Sequence, residues 1–234
     1  MPLVHAIVMA AGEGSRLRPL TDRWPKPILP IDGRPVIAHV LRELGEAGCE
    51  RVAVVTGHLA EQVEELVGDG AAFGTDVVFV RQPRRDGSAD AVSRALAAGT
   101  ETPAIVVGAD TLFDPGALAL FRREWEESRA AGAIGIRRGQ PRSGGKSTID
   151  VHEGRVVRVL GQDPGRELTP APLWGLGEAL AAQLADLPGP PYELGNAYQR
   201  AIDAGAEVRA ILIGGTRDVT AVADLVVENF PYLS

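Results

Sequence analysis

The residues best suited to chemistry lie in one loop near the start of the chain. Gly12 and Gly14 are followed closely by Arg16, and Lys26 lies further along the same proline-rich stretch. Glycines let a backbone approach a phosphate closely and point its amide groups at the oxygens. The arginine and the lysine supply the positive charge that the amides lack. The loop therefore predicts a binding site for a triphosphate.

Two common phosphate-binding loops do not fit these residues. The dinucleotide-binding fingerprint requires a third glycine after Gly14, and Leu17 occupies that position. A Walker A loop requires a Gly-Lys-Ser/Thr ending, which the residues 14–16 do not supply. The prolines that follow Leu17 also predict that the loop does not run directly into a long helix.

The complete loop resembles the signature of a known enzyme family. It reads Gly12-Glu13-Gly14-Ser15-Arg16-Leu17-Arg18-Pro19-Leu20-Thr21, continued by Pro25-Lys26-Pro27-Ile28-Leu29-Pro30. This pattern is similar to the signature loop of the sugar-1-phosphate nucleotidylyltransferases. The resemblance implies that an NTP and a sugar 1-phosphate are joined into an NDP-sugar with release of pyrophosphate. It also implies that Arg16 binds the β- and γ-phosphates and that Lys26 acts at the α-phosphate or the acceptor phosphate.

Two aspartates from distant parts of the chain complete the predicted site. Asp110 follows the apolar run 104–108, which predicts a position at the carboxyl end of a strand, where open parallel sheets bind their ligands. A carboxylate there can hold a divalent ion over bound phosphates. The resemblance implies that Asp110 binds Mg²⁺ and that Asp218 is the second ligand. Asp224 is interpreted instead as an acid favoured by the dipole of the last helix.

Two further segments resemble the parts of the family that contact the nucleobase and the acceptor. The first runs from Gln82 through Gly87 to Ser88, which is predicted to cap a helix. The second contains Glu193, which matches the sugar-binding segment, and Asn196, which departs from it. The predicted nucleotide-binding residues are Ala10, Ala11, Gly12, Gly14, Ser15, Arg16, Gln82, Gly87, Ser88 and Asp110. The predicted acceptor-binding residues are Lys26, Glu193, Asn196 and Trp174, the last of which is alternatively a core residue.

One departure from the family concerns the acceptor phosphate. Most relatives place Glu-Lys-Pro before the sugar site, and its lysine contacts the sugar phosphate. This chain has Gly161-Gln162-Asp163-Pro164 there, and Asp163 would repel a phosphate. Either Lys146 or Arg166 substitutes for the lysine, or the acceptor is not an ordinary hexose phosphate. Two alternatives therefore stay open: a cytidylyltransferase acting on phosphocholine or another small non-sugar phosphate, and a non-catalytic nucleotide-binding regulatory subunit.

The elements that position these residues follow from the hydrophobic pattern. Apolar strand-like runs alternate with amphipathic helix-like runs, which predicts a Rossmann-like three-layer α/β/α fold with a mixed, mainly parallel sheet. After Gly132, strands separated by turns predict a small antiparallel extension on the substrate side. We expect one domain, with a nucleotide-binding half at 1–132 and an acceptor-binding half at 133–234. Strands are predicted over 3–9, 51–56, 76–81, 104–108, 133–137, 148–151, 155–160 and 208–213, helices over 36–44, 60–67, 88–98, 117–130, 177–187, 192–204 and 222–230, and a mobile loop over 138–146.

Composition narrows the partners and the compartment. The net charge of −7 argues against a nucleic-acid or membrane surface, and no apolar run is long enough to span a bilayer. The N-terminus lacks the pattern of a signal peptide. Cys49 is the single cysteine and is interpreted as a packing residue, so a reduced, cytoplasmic setting is expected. Trp125 is expected either in the core or at a contact between copies in a homo-oligomer.

Overall fold

The fold is built from strands and helices that alternate along most of the chain. A computed structural model describes residues 5–139, 148–161 and 168–230. Its strands are β1 (His5–Ala10), β2 (Pro30–Ile31), β3 (Arg34–Pro35), β4 (Arg51–Thr56), β5 (Asp76–Arg81), β6 (Ala104–Gly108), β7 (Thr111–Phe113), β8 (Gly132–Arg138), β9 (Thr148–His152), β10 (Arg155–Gly161), β11 (Leu168–Leu176), β12 (Val208–Leu212) and β13 (Thr216–Asp218). Its helices are α1 (Val36–Glu46), α2 (Ala60–Val67), α3 (Ser88–Ala97), α4 (Ala117–Ser128), α5 (Glu178–Ala181), α6 (Leu194–Asp203) and α7 (Val222–Asn229).

One large sheet contains strands from both halves of the chain. Within the described residues it has nine strands, in the order β5-β4-β1-β6-β11-β8-β12-β10-β9. Strands β5, β4, β1 and β6 are parallel neighbours, whereas β11 runs antiparallel to both β6 and β8, and β9 runs antiparallel to β10. The predicted mixed, mainly parallel sheet with antiparallel pairing in the second half is confirmed.

The sheet is covered by helices on both faces because its central strands are apolar on both faces. In β1, Val8 packs in a buried cluster with Leu41 of α1 and Phe121 of α4. Ile7, which precedes Val8 in the strand, points to the other face and packs with Val92 of α3. This two-sided burial is the pattern expected of parallel strands in a three-layer fold.

A strand that the sequence analysis did not predict lies in the middle of the sheet. Strand β11 contains Pro170 and Pro172, and proline lacks the backbone N–H that a central strand normally uses in its ladder. The pairing with β8 is irregular between Pro170 and Trp174, which accommodates the missing donors. Burial of Ala171 and Leu173 in the core outweighs the local preference against a strand.

Several boundaries differ from those predicted in the second half. The helix predicted over 177–187 is the short α5, followed by a 3₁₀ turn over 182–184, and the helix predicted from Tyr192 begins at Leu194. The three-residue strands β7 and β13 were not predicted, because runs of this length show no periodicity. Most of the predicted loop 138–146 lies outside the described residues.

Two of the residues interpreted as structural lie in the core. Cys49 is fully buried, and burial raises the pKa of its thiol to about 12, so it packs as a small apolar residue. Trp125 is 6% exposed and packs against Phe121. In the part of the chain that the structure describes, no helix combines the length and apolarity needed to cross a membrane.

Candidate active site

Two adjoining cavities lie at the carboxyl ends of β1 and β6. The loop cavity, of about 390 Å³, is lined by the glycine loop together with Gln82 and Gly87. The β11 cavity, of about 540 Å³, is lined by residues that include Trp174, Asn196 and Asp218. Both volumes fall within the range of small-molecule sites. The residues that line both cavities, and so form their junction, are Met9, Ser88, Asp110, Pro172 and Glu193.

The glycine loop is folded tightly, and this brings Lys26 to the loop cavity. Gly14 has a φ of 63°, and a Cβ atom there would lie 2.9 Å from Thr21 Cγ2 and 3.1 Å from Lys26 Cβ. The Thr21 hydroxyl donates a hydrogen bond of 2.9 Å to the Gly14 carbonyl. Only glycine fits the close approach and the left-handed conformation together. The local sequence thus packs the stem of Lys26 against the start of the loop.

Lys26 and Asp110 form an ion pair at the junction of the cavities. Lys26 Nζ lies 2.5 Å from Asp110 Oδ2, and the lysine side chain is 13% exposed. Asp110 follows β6, as predicted, and the backbone N–H of the preceding Ala109 donates to the carbonyl of Met9 in β1. A nearly buried ammonium beside a carboxylate is suited to neutralise charge on a phosphate.

The small β7–β13 sheet brings the second predicted aspartate to the first. Asp218 lies opposite Thr111 in the register of this sheet. The Thr111 hydroxyl donates to Asp218 Oδ1 at 2.9 Å and lies 3.5 Å from Asp110 Oδ1, so that both carboxylates adjoin one hydroxyl. The Val219 N–H donates to the Asp110 carbonyl at 3.0 Å. Two residues far apart in sequence therefore line the same cavity.

The two carboxylates fit the ligand set of a magnesium ion. Carboxylate oxygens are hard donors, and Mg²⁺ is usually held by one or two of them together with phosphates and water. Within 5–139, 148–161 and 168–230 no group of three or more His, Cys, Asp or Glu side chains could hold a metal. Asp110 and Asp218 would therefore leave most of the coordination sphere to phosphate and water oxygens.

Arg137 is a site residue that the sequence analysis missed. Its Nη2 donates to Asp218 Oδ2 at 2.7 Å, its Nη1 donates to the Thr216 hydroxyl, and its Nε donates to Thr169 Oγ1 at 3.3 Å. Its side chain is 14% exposed. The signal available in the sequence was a charged residue at the end of an apolar strand run. The contact of this residue with Asp218 could not be predicted, because it depends on tertiary structure.

Ser88 joins the loop cavity to the acceptor segment, and its predicted role as a helix cap is wrong. Ser88 is the first residue of α3, and Gly87 is the N-cap residue. The Ser88 hydroxyl donates to Glu193 Oε2 at 2.8 Å and accepts from the Leu194 N–H at 2.8 Å. The backbone at Tyr192 accepts from Ala89, also at 2.8 Å. Ser88 therefore fixes the start of α6 instead of α3.

Gly87 makes this docking feasible, which gives a testable expectation. Gly87 has a φ of 108°, and a Cβ atom would lie 2.3 Å from the Tyr192 carbonyl oxygen. Gly99 is a matched control, because its φ is 101° and no atom lies within 4 Å of such a Cβ. We expect Gly99→Ala to lower the free energy of unfolding by roughly 1–3 kcal/mol through backbone strain, and Gly87→Ala to lower it further. Urea denaturation measures both, and equal losses would contradict the proposed contact with Tyr192.

The remaining predicted nucleotide-binding residues divide into two groups. Ala10, Ala11 and Gly12 line the loop cavity, as does the buried Gln82. The side chains of Ser15 and Arg16 are exposed in a 3₁₀ turn and do not line either cavity. The substitutes named for the missing lysine, Lys146 and Arg166, and the residues 162–164 lie outside the described residues.

Arg85 is a second cation at the loop cavity that sequence reasoning overlooked. It lines this cavity, and its Nε lies 3.2 Å from Glu13 Oε1 within the glycine loop. Glu13 also faces Arg18 at 3.7 Å. The signal that was available is the Arg84-Arg85 pair, which only Asp86 separates from Gly87.

Asp224 lies at the start of α7, as predicted. Its Oδ2 accepts hydrogen bonds from the backbone N–H of Thr220 and of Ala221, each at 2.7 Å, and from the Thr220 hydroxyl at 2.8 Å. These bonds satisfy donors that a helix start leaves without partners inside the helix. They give Asp224 a structural role beside the site.

Comparisons with known proteins show which curated proteins the chain is similar to. The glucose-1-phosphate thymidylyltransferase of Streptomyces antibioticus is 31% identical over 235 residues, covering 97% of this chain and 65% of that protein. The N-acetylmuramate alpha-1-phosphate uridylyltransferase of Neisseria meningitidis serogroup B is 36% identical over 120 residues, covering 51% of this chain and 52% of that protein. This chain thus spans about half to two thirds of the length of these curated relatives.

The fold is shared with solved structures, and a family model matches the sequence. A structure of UDP-glucose pyrophosphorylase complexed with UDP-glucose superposes with a TM-score of 0.82, covers 99% of both chains and is 21% identical, so it shows the fold alone. Residues 5–159 match the family model described as nucleotidyl transferase. Because this match begins at β1 and runs through the first half of the sheet into β10, the chain belongs to the nucleotidyl transferase family.

Proposed function

We propose that the chain is a Mg²⁺-dependent nucleotidylyltransferase that joins an NTP and a sugar 1-phosphate into an NDP-sugar and pyrophosphate. The observation that carries this proposal is the meeting of Lys26, Asp110 and Asp218 where the two cavities join. The loop cavity has backbone glycines suited to a triphosphate, and the β11 cavity is large enough for a second small molecule. Both curated relatives carry the names of nucleotidylyltransferases for sugar 1-phosphates.

The proposed reaction is an in-line displacement at the α-phosphorus of the NTP. An oxygen of the acceptor phosphate forms a bond to this phosphorus, and the bond to the oxygen that bridges to the β-phosphorus breaks. Pyrophosphate leaves with the electron pair of that bond. An ionised phosphate requires no general base, so that catalysis consists of alignment and charge neutralisation.

The chain's own groups are assigned to the two ends of this displacement. The amide groups near Gly12 and Gly14 bind the β- and γ-phosphates, and Arg16 joins them by turning its exposed side chain toward the bound triphosphate. Lys26 lies at the junction and binds the acceptor phosphate or the α-phosphate as charge develops there. This assignment places Lys26, which Asp110 holds, at the reacting phosphate, and the exposed Arg16 at the leaving pyrophosphate.

Asp110 and Asp218 are assigned to a bound Mg²⁺. When bound, the ion would supply neutralisation of the charge on the phosphates. Thr111 and Arg137 orient Asp218, while Lys26 orients Asp110. The carboxylates are thus held before any substrate arrives.

The acceptor is assigned to the β11 cavity. Trp174 lines this cavity with its ring fixed edge-on to Tyr198, at a centroid distance of 4.8 Å. Glu193 and Asn196 supply polar groups for the acceptor's hydroxyls. Because Ser88 binds Glu193, the acceptor segment is positioned by the loop that borders the nucleotide.

Pyrophosphate release measured over a matrix of NTPs and phosphomonoesters tests the proposal. We expect Mg²⁺-dependent release with at least one pair of an NTP and a sugar 1-phosphate. If phosphocholine or another small non-sugar phosphate supports release and no sugar 1-phosphate does, the result would support the cytidylyltransferase alternative instead. Absence of release with every pair would support the non-catalytic regulatory subunit and overturn the proposal.

A further inference from the structure

The side-chain amide of Gln82 is held in one orientation by two acceptors. Its Nε2 donates to the Gly87 carbonyl at 3.0 Å and to Asp90 Oδ2 at 2.8 Å. A backbone carbonyl and a carboxylate accept hydrogen bonds and cannot donate them. The NH₂ group of Gln82 must therefore face this pair, and the carbonyl oxygen Oε1 must face away from it.

Asp90 is a firm acceptor because Arg94 keeps it ionised. Arg94 Nε donates to the same Asp90 Oδ2 at 2.7 Å, one helical turn further along α3. Burial would raise the pKa of the Asp90 carboxyl, but hydrogen bonds from Arg94 and Gln82 outweigh it and hold the pKa below its usual value. The Asp90 carboxylate is therefore charged at neutral pH, and it supports only one orientation of the Gln82 amide.

The outward oxygen of Gln82 is the polar group that the side chain offers to the loop cavity. Gln82 is 6% exposed and lines this cavity together with Gly87. No residue within 5–139, 148–161 and 168–230 donates a hydrogen bond to Gln82 Oε1. Gln82 Oε1 is not one of the buried side-chain atoms that lack a partner, so it is accessible from the cavity, where an N–H or O–H of a ligand can replace water as its donor.

We propose that Asp90 is a positioning residue that makes this site select keto nucleobases over amino nucleobases. Uracil and thymine carry N3–H and guanine carries N1–H on the Watson–Crick edge, and each of these groups can donate to Gln82 Oε1. Cytosine and adenine place a lone pair at the same ring position, which would face the carbonyl oxygen and repel it. This inference rests on the proposed function and names the substrate class of its nucleotide.

The experiment compares kcat/KM among NTPs in the wild type and in variants of Asp90. For the wild type we expect the best of UTP, dTTP and GTP to exceed CTP and ATP by ~10-fold or more, as expected when a site built for a hydrogen bond meets a mismatched partner. In Asp90→Ala the Gly87 carbonyl alone still holds the amide of Gln82, so the amide can turn and present its NH₂ group to an amino base. We expect this ratio to fall by about 5-fold or more.

Two companion variants separate positioning from folding. Asp90→Asn retains an oxygen acceptor and should retain most of the preference. Asp86 lies in the same loop, and its carboxylate pairs with the exposed Arg84 and not with Gln82. Asp86→Ala should therefore keep the wild-type ratio. A general structural loss would lower kcat/KM for all NTPs alike and leave the ratio unchanged.

Two results would overturn the inference while leaving the proposed function intact: a wild type that prefers CTP or ATP, and an unchanged ratio in Asp90→Ala. Dissociation constants for UTP and CTP, measured by calorimetry, test the same preference without catalysis. If no NTP supports pyrophosphate release but UTP binds more tightly than CTP and the difference falls in Asp90→Ala, the proposed function fails and the base selection stands.

Discussion

Lys26→Ala should lower kcat/KM for pyrophosphate release by ~10²-fold or more, the size of one lost electrostatic contact to a transition state. Lys26 Nζ is held 2.5 Å from Asp110 Oδ2 at the junction of the two cavities, and its side chain is 13% exposed. A nearly buried ammonium acts in a medium of low dielectric constant, where its attraction to a phosphate is stronger than in water. Steady-state kinetics with saturating Mg²⁺ measures the loss.

Two variants distinguish the charge of Lys26 from its packing. Lys26→Met keeps an aliphatic stem beside Gly14 and Thr21 but removes the ammonium, so it should lose as much activity as Lys26→Ala. Arg23→Ala removes a positive charge from the same loop, where the side chain is exposed and lines neither cavity, and should retain turnover. Turnover like that of the wild type in Lys26→Met would remove the lysine from the proposed mechanism.

Asp110→Ala should also lower the rate by ~10²-fold or more, because it removes a carboxylate assigned to Mg²⁺ and the partner of Lys26. Asp110→Asn keeps the shape of the side chain and loses its charge, so it should show a comparable loss and require a higher Mg²⁺ concentration for half-maximal activity. A titration of activity against Mg²⁺ for wild type and variant measures both effects.

The control for Asp110 is an aspartate at the amino end of the edge strand β5, whereas Asp110 follows the carboxyl end of the central strand β6. Asp76 is exposed at the start of β5, away from both cavities, and Asp76→Asn should leave the rate and the Mg²⁺ dependence unchanged. An Asp110→Asn enzyme with the Mg²⁺ dependence of the wild type would exclude this carboxylate from the metal site. A loss of activity in Asp76→Asn as large as that in Asp110→Asn would indicate a general effect of charge.

Local sequence was sufficient to predict most of the first half of the fold. Strands β4, β5 and β6 lie where apolar runs predicted them. Strands β4 and β6 are buried on both faces and leave a continuous apolar run in the sequence, whereas β5 is a partly exposed edge strand. The chemistry of the glycine loop was also local, because its residues lie close together along the chain. The family resemblance of this loop is confirmed by the match over residues 5–159.

The arrangement of the candidate site was not local. Strand β11 forms in spite of Pro170 and Pro172 because it is packed between β6 and β8. Asp218 meets Asp110 through the pairing of two three-residue strands that are too short to carry a pattern. Exposure of Arg16 and the contact of Arg137 with Asp218 likewise depend on neighbours that are distant in sequence.

The sequence by itself thus determined the family, the sheet class and the residue types that can bind phosphate, because each of these depends on short stretches of chain. Only the tertiary structure decided that Ser88 binds Glu193 and the start of α6, and that the amide of Gln82 donates to Gly87 and Asp90. The physical reason is that the orientation of a polar side chain is set by the donors and acceptors around it, and packing brings these together from distant parts of the chain.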